Sequence, residues 1–170
     1  MLQRPDRNEY APYFSTYIDA VPDEDYDQFL RNQLDEVKDL FSQLSEEKGE
    51  GRYAPGKWSL KEVLGHMTDT ERVMSYRMMR IARGDFTKLP GFDQDILIAN
   101  GSFSEFTLKA LLEDFVAVRK ATFTLLGTIP DSAWERTGNV SERDVTARSL
   151  AYIIAGHAQH HLNVIQQRYL

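Results

Sequence analysis

The 170-residue sequence contains no cysteine, and this absence removes several kinds of chemistry. Without a thiol the chain can form no disulfide, offers no thiolate ligand to a metal and has no cysteine nucleophile. Any thiol that takes part in a reaction here must therefore come from a separate molecule. The compartment does not follow from cysteine alone, and a cytoplasmic enzyme or binding protein is the default expectation.

Positive charge and long apolar runs are also scarce. The formal net charge is -6, with 20 Lys and Arg against 26 Asp and Glu, and no basic run offsets it. Because a phosphate-binding surface needs clustered positive charge, nucleic acid is not an expected partner. No stretch approaches the roughly 20 apolar residues of a membrane-spanning helix, so no membrane partner is expected either.

The sequence does contain four long stretches in which apolar residues recur at steps of three and four. Such a period is typical of one face of a helix. The stretches cover about 23–47, 59–84, 104–127 and 146–168. Ser59 and Glu62 predict a capping box at the start of the second helix, and Thr146 is a candidate cap for the fourth. With no convincing alternating strand, the pattern predicts an all-α four-helix bundle forming a single domain over 1–170.

The segments between these stretches are long. Residues 1–22 are rich in aromatic side chains and proline, and we expect an extended arm packed on the bundle, because so many aromatics are unfavourable in water. Residues 85–103 and 130–145 form two long connections. Loops of such length in compact domains tend to be functional.

The four histidines are unevenly placed. His66 lies in the middle of the second predicted helix, whereas His157, His160 and His161 lie close together on the fourth. His157 and His161 are four residues apart, so they share a helix face with side chains about 6 Å apart. Apolar residues occupy the same face, so the pair is expected to point into the bundle. His66 also has apolar neighbours at helical spacing.

Buried imidazoles need partners for their nitrogens, and a metal ion is one such partner. Three histidines from two helices would leave coordination positions open, as in catalytic rather than structural zinc sites. The alternative is a set of hydrogen-bonded core histidines, and two histidines at this spacing also occur by chance. The residues by themselves leave both interpretations open.

Six short motifs together resemble the DinB-like (YfiT-type) superfamily over nearly the whole chain. They are YIDAVP at 17–22, KWSL at 57–60, EVLGH at 62–66, DTE at 69–71, LPGFD at 89–93 and AGHAQHH at 155–161. The resemblance implies a four-helix bundle, often a homodimer, with a divalent metal, most often nickel or zinc, in a pocket between helices. The implied ligands in this sequence are His66, His157 and His161.

Three functions follow as hypotheses. Several branches of the superfamily are associated with thiol transfer, so the first is a metal-dependent transferase that uses a low-molecular-weight thiol such as bacillithiol, mycothiol or glutathione with a small-molecule substrate. The second is a metal-dependent hydrolase, for which the candidate general bases are Asp69, Glu71, Asp93 and Asp95. The third is a non-catalytic, stress-related metal-binding or sensing protein.

Three further side chains each have a structural and a functional interpretation. Trp58 could line a pocket, but packing beside the helix cap is the favoured interpretation. Arg77 could offer an anionic substrate a forked donor, which is the less favoured of its two interpretations. His160 is expected at the surface or in a dimer contact.

Overall fold

The four predicted amphipathic stretches form the four long helices of a bundle in the computed structural model, which describes residues 2–170. Met1, the first residue of the predicted arm, lies outside the described residues. The elements are α1 (Ser15–Ile18), α2 (Tyr26–Ser42), α3 (Glu46–Gly49), α4 (Leu60–Ala82), α5 (Gln94–Asn100), α6 (Leu108–Leu126), β1 (Thr137–Val140), β2 (Arg143–Thr146) and α7 (Ala147–Arg168). Helix α4 packs against α6 and α7, and α2 packs mainly against α6. The predicted all-α bundle is confirmed.

Both helices that carry histidines begin at the predicted caps. The Ser59 hydroxyl accepts from the Glu62 amide at 3.2 Å, and the Glu62 carboxylate accepts from the Ser59 amide at 2.6 Å. At the start of α7, the Thr146 hydroxyl accepts from the Ser149 amide at 3.2 Å. Because each cap fixes where its helix begins, the caps set which residues face the core further along.

The predicted C-terminal end of the first helix is wrong. A single helix to about residue 47 was expected, but α2 ends at Ser42 and α3 begins after Ser45. The Ser45 hydroxyl accepts from the Lys48 amide at 3.1 Å, so this serine starts a new helix instead of continuing the old one. In the same way α6 begins at Leu108 rather than near 104, because Thr107 caps it.

The N-terminal arm packs on the bundle as expected. It is wound into two 3₁₀ turns and α1 for part of its length rather than being extended throughout. Ile18 is fully buried, and the Arg4 guanidinium donates to the Ile18 carbonyl at 2.7 Å. Glu9 forms an ion pair with Arg148 of α7. Burial of apolar side chains and ion pairing therefore both hold the arm against α7.

The two long connections contain structure that the sequence pattern did not predict. The first contains α5, whose cap is Asp93. The second contains the antiparallel hairpin β1–β2, with Ser141 and Glu142 at φ 52° and 60° in its turn. Such turns are usually signalled by Asn-Gly or Asp-Gly, and this one is not, which explains why the hairpin was missed. Within residues 2–170, no helix is both long and apolar enough to cross a membrane.

The apolar core is divided into two clusters by a polar layer at the middle of the bundle. Arg119 of α6 donates to Glu71 of α4 at 2.8 Å and to the side-chain oxygen of Gln33 of α2 at 3.0 Å. Gln33 in turn donates to the Ala155 carbonyl of α7 at 3.0 Å. One chain of hydrogen bonds therefore joins all four bundle helices at the level of the histidines.

Gly156 of α7 generates the first prediction. A Cβ built at Gly156 would lie 1.8 Å from the Tyr17 carbonyl oxygen, so the arm can approach α7 only because this residue is glycine. In a helix interior, Gly→Ala normally stabilises by about 1 kcal/mol. We expect Gly156→Ala to do the opposite and to lower the free energy of unfolding by about 1–3 kcal/mol, because the backbone must shift.

Denaturant unfolding checks this prediction, with Gly127→Ala as the matched control. A Cβ at Gly127 would meet only the Phe123 and Thr124 carbonyl oxygens, both at 3.7 Å, so the control should leave stability unchanged or raise it. A Gly156→Ala protein as stable as the wild type would contradict the close approach of the arm.

Candidate metal centre

Three imidazoles from two helices converge at the polar layer. His66 comes from α4, and His157 and His161 come from successive turns of α7. The Nε2 atoms of His66 and His157 are 2.9 Å apart, and those of His157 and His161 are 3.2 Å apart. All three candidate ligand atoms lie within 4.8 Å of one another. The structure thus brings together the three residues that the sequence singled out.

Burial keeps these imidazoles neutral. It lowers the pKa of His66 to about 4 and that of His161 to about 3, with neighbouring histidines as a smaller cause. The pKa of His157 lies well below its ordinary value, first because of burial and then because of His161, His66 and His160. At neutral pH each ring therefore has a lone pair on one nitrogen, which is the form that binds a metal.

The three Nε2 atoms cannot satisfy one another. A neutral imidazole nitrogen either donates one hydrogen or accepts one, so His157 Nε2 can complete a hydrogen bond with only one of its two neighbours. A divalent cation would accept all three lone pairs at once. Two nitrogens held about 2.0–2.1 Å from a tetrahedral ion lie roughly 3.3 Å apart, close to the 2.9 and 3.2 Å that separate His157 Nε2 from its two neighbours. The donor set therefore fits a divalent metal.

Aromatic side chains fix the orientation of the rings. The Trp58 ring lies 4.7 Å from that of His66, so this tryptophan lines the site as well as packing beside the helix cap. Tyr17 of the arm lies 5.3 Å from the His157 ring and 5.5 Å from His160. His160 is half-buried, and it lies beside the three converging imidazoles instead of among them. Sequence reasoning missed Tyr17, because only the folded arm brings it to α7.

Two cavities with no lining residue in common reach different histidines. The first has a volume of about 240 Å³ and ends at His66 and His157. Aromatic rings of the arm and Phe92 form much of its wall, and no Asp or Glu of the described chain lines it. The second has a volume of about 370 Å³ and reaches His161, with Trp58 and Asp95 in its wall. A small molecule could therefore approach the imidazoles.

Of the four candidate general bases, the structure brings only Asp95 to the histidines. Glu71 is buried in its ion pair with Arg119, and Asp69 lies 3.2 Å from Arg72. Asp93 is occupied as the cap of α5. The spacing on α4 could not separate these roles, since the partners of Asp69 and Glu71 come from α4 itself and from α6.

A helical bundle with a buried set of three convergent histidines defines the class of this protein, and comparison with known proteins defines its family. The family model of the DinB superfamily matches residues 14–165, and the chain belongs to that superfamily. A solved structure from Bacillus subtilis, YfiT, described as a probable metal-dependent hydrolase with an unusual four-helix bundle topology, is similar in fold. Its TM-score is 0.73 at 18% identity, covering 94% of this chain and 91% of that one. No curated protein sequence matches the chain.

The lowered histidine pKa values predict how stability changes with pH in the metal-free protein. Their pKa values in the folded chain lie below the unfolded value of about 6.5, so on acidification the unfolded chain takes up protons first. The contribution of these histidines to the free energy of unfolding is therefore fully present above about pH 6.5. It is lost as the pH falls from there toward about 4.

Thermal unfolding between about pH 7.5 and pH 5 tests this, a range in which most carboxylates stay ionised. We expect the midpoint to fall on acidification, and to fall less steeply in His66→Leu, which has one titrating ring fewer. Equal slopes for the two proteins would show that His66 is not held neutral by the fold.

Proposed function

We propose that this chain is a metal-dependent enzyme whose ligands are His66, His157 and His161. The observation that carries the proposal is that three neutral imidazoles meet at their Nε2 atoms and cannot satisfy one another. All three ligands are uncharged, so the bound ion would retain its full charge for an anionic group. Imidazole suits nickel and zinc, the two metals we consider first. The description of YfiT as a probable metal-dependent hydrolase also supports a metal.

The reaction we favour is transfer of an electrophilic group to a low-molecular-weight thiol, in which a carbon–sulfur bond forms, the bond to the leaving group breaks and the thiol proton passes to water. A bound divalent ion supplies Lewis-acid chemistry, lowering the pKa of a nucleophile that reaches it. A thiol ionises far more readily than water, and it therefore needs a general base less. The first cavity fits this requirement, because aromatic side chains line it and no carboxylate of the described residues does. The thiol, for example bacillithiol, mycothiol or glutathione, must come from outside.

Hydrolysis is the second candidate, and Asp95 is the observation in its favour. Asp95 lines the second cavity with His160 and His161, and its carboxylate could accept a proton from water there. The similarity to YfiT points in the same direction. A sensing protein without turnover is less well supported, since two cavities beside the histidines provide room for a substrate.

The ligand assignment predicts different outcomes for two neighbouring histidines. His161→Ala should lower the affinity for zinc or nickel by at least about a hundredfold, because only two imidazoles remain. His160→Ala is the matched control on the same turn of α7, and we expect it to bind metal as the wild type does. Metal analysis and calorimetric titration of the three proteins decide the matter. Equal metal content in wild type and His161→Ala would refute the assignment.

The two reactions are separated by assays on the metal-loaded protein. With bacillithiol or glutathione and monochlorobimane, we expect conjugation well above the rate of His161→Ala, and Asp95→Asn should leave that rate unchanged. A panel of ester, amide and phosphoester substrates tests the hydrolase, whose rate Asp95→Asn should reduce. If neither assay exceeds His161→Ala, the enzyme proposal fails and the sensing protein is favoured.

A further inference from the structure

Arg77 of α4 is a buried cation without an anionic partner. The residue is only 4% exposed, and among residues 2–170 no carboxylate lies within ion-pair distance of it. One terminal nitrogen donates to the Pro90 carbonyl at 2.6 Å, and the other lies 3.6 Å from the Met74 sulfur. Burial lowers the pKa of Arg77, and no neighbouring charge opposes that shift. Burying a charge is unfavourable unless it is paired.

Arg119 is a second buried arginine in the bundle, and its partners can be compared with those of Arg77. It is fully buried, and it has Glu71 as ion-pair partner and Gln33 as a further acceptor. Arg77 has only a carbonyl and a thioether. Of the five N–H groups of its guanidinium, three are left for a ligand. The difference suggests that the missing partner of Arg77 is a molecule that binds from outside.

The cavity beside His66 is where such a molecule would bind. Arg77 lines it together with His66, Thr70 and Met74, which lie along one face of α4. His66 and Arg77 are three helical turns apart, a rise of about 16 Å between their Cα atoms. The Arg77 side chain leans back toward the helix start, and therefore toward the histidines. Arg77 and the imidazoles of His66 and His157 thus line the same cavity.

Thr70 provides an independent observation in the same cavity. Its hydroxyl is buried and has no hydrogen-bond partner among the described residues. The side chain is only 3% exposed, and it lies one turn from His66 on the side toward Arg77. An unpartnered buried hydroxyl is uncommon in a folded protein, because it gives up its bonds to water. A polar ligand lying between His66 and Arg77 would give this hydroxyl a partner.

We propose that Arg77 binds the oxyanion of the substrate, a carboxylate or a phosphate, while the reacting end of the same molecule lies at His66 and His157. This inference rests on the proposed metal site and specifies its substrate class: an elongated small molecule with one anionic end. Thr70 contacts its middle. The Phe92 ring, whose centre lies 5.3 Å from the Arg77 guanidinium, covers the anionic end.

A purely structural role for Arg77 makes a different prediction. Through Pro90 and Phe92 the arginine also holds the first long connection against α4. Were this its only role, a substitution would lower stability and weaken neutral and anionic ligands alike. An anion-binding role requires a loss confined to anionic ligands, so the experiment compares matched ligands that differ only in charge.

Calorimetry on the zinc-loaded protein can make this comparison. The probes are the monohydroxamates of succinic, glutaric, adipic, pimelic and suberic acid, each paired with the uncharged hydroxamate of the same chain length. A phosphonate series distinguishes the two kinds of oxyanion. At the best length we expect the charged end to raise the affinity of wild type by about ten- to a hundredfold. Arg77→Met should abolish this gain and leave the neutral probes unaffected, whereas Arg77→Lys should keep part of it.

Arg136→Met is the matched control, because Arg136 also ties a connection to α4 through the Ala82 carbonyl but does not line the cavity. It should preserve the preference for charged probes. If neutral hydroxamates bind and charged ones bind no better, the role of Arg77 is refuted while the metal site stands. If no hydroxamate binds at all, the metal site itself fails, and this inference fails with it.

Discussion

The polar layer across the middle of the bundle is the constraint on which the site depends. Gln33 of α2 donates to the Ala155 carbonyl and to Gln159, on either side of His157, and it accepts from Arg119. Arg119 is held by Glu71 of α4. Because this chain of contacts links α4 to α7 through two other helices, it sets the height at which the histidines of α7 meet the histidine of α4. Breaking a buried pair of this kind typically costs about 3–5 kcal/mol, so the register is strongly held.

The site combines groups that are unfavourable until a ligand arrives. Three neutral imidazoles face one another, the Thr70 hydroxyl is unpartnered and Arg77 has no counter-ion among the described residues. In the proposed function, each of these groups would gain a partner on binding of a metal and an anionic substrate, and these new contacts would contribute to the binding free energy. Within the described residues the polar layer has no such defect, since Arg119 donates to Glu71 and Gln33, and Gln33 donates to the Ala155 carbonyl.

The sequence predicts those parts of the fold that local chemistry controls. The caps at Ser59 and Thr146 and the shared helix face of His157 and His161 depend on neighbours within a few residues, and the structure has them as predicted. Features that depend on distant approach were predicted only in outline: the packing of the arm on the bundle was expected, but its close contact with Gly156 was not. The break before Ser45 was missed because the helical pattern around it is stronger, and the hairpin was missed because its turn lacks the usual Asn-Gly or Asp-Gly signal. The carboxylate that reaches the histidines could not be predicted either, because tertiary contacts decide which of the four candidates lies there.

X-ray absorption spectroscopy of the zinc-loaded protein tests the metal centre most directly, because it reports the number and kind of atoms bound to the ion. The expected spectrum shows three imidazole nitrogens at about 2.0–2.1 Å and at least one oxygen ligand. An added thiol should replace that oxygen with sulfur. A spectrum with fewer than three imidazoles, or one that an added thiol leaves unchanged because protein atoms fill every position, would contradict a three-histidine centre open to substrate.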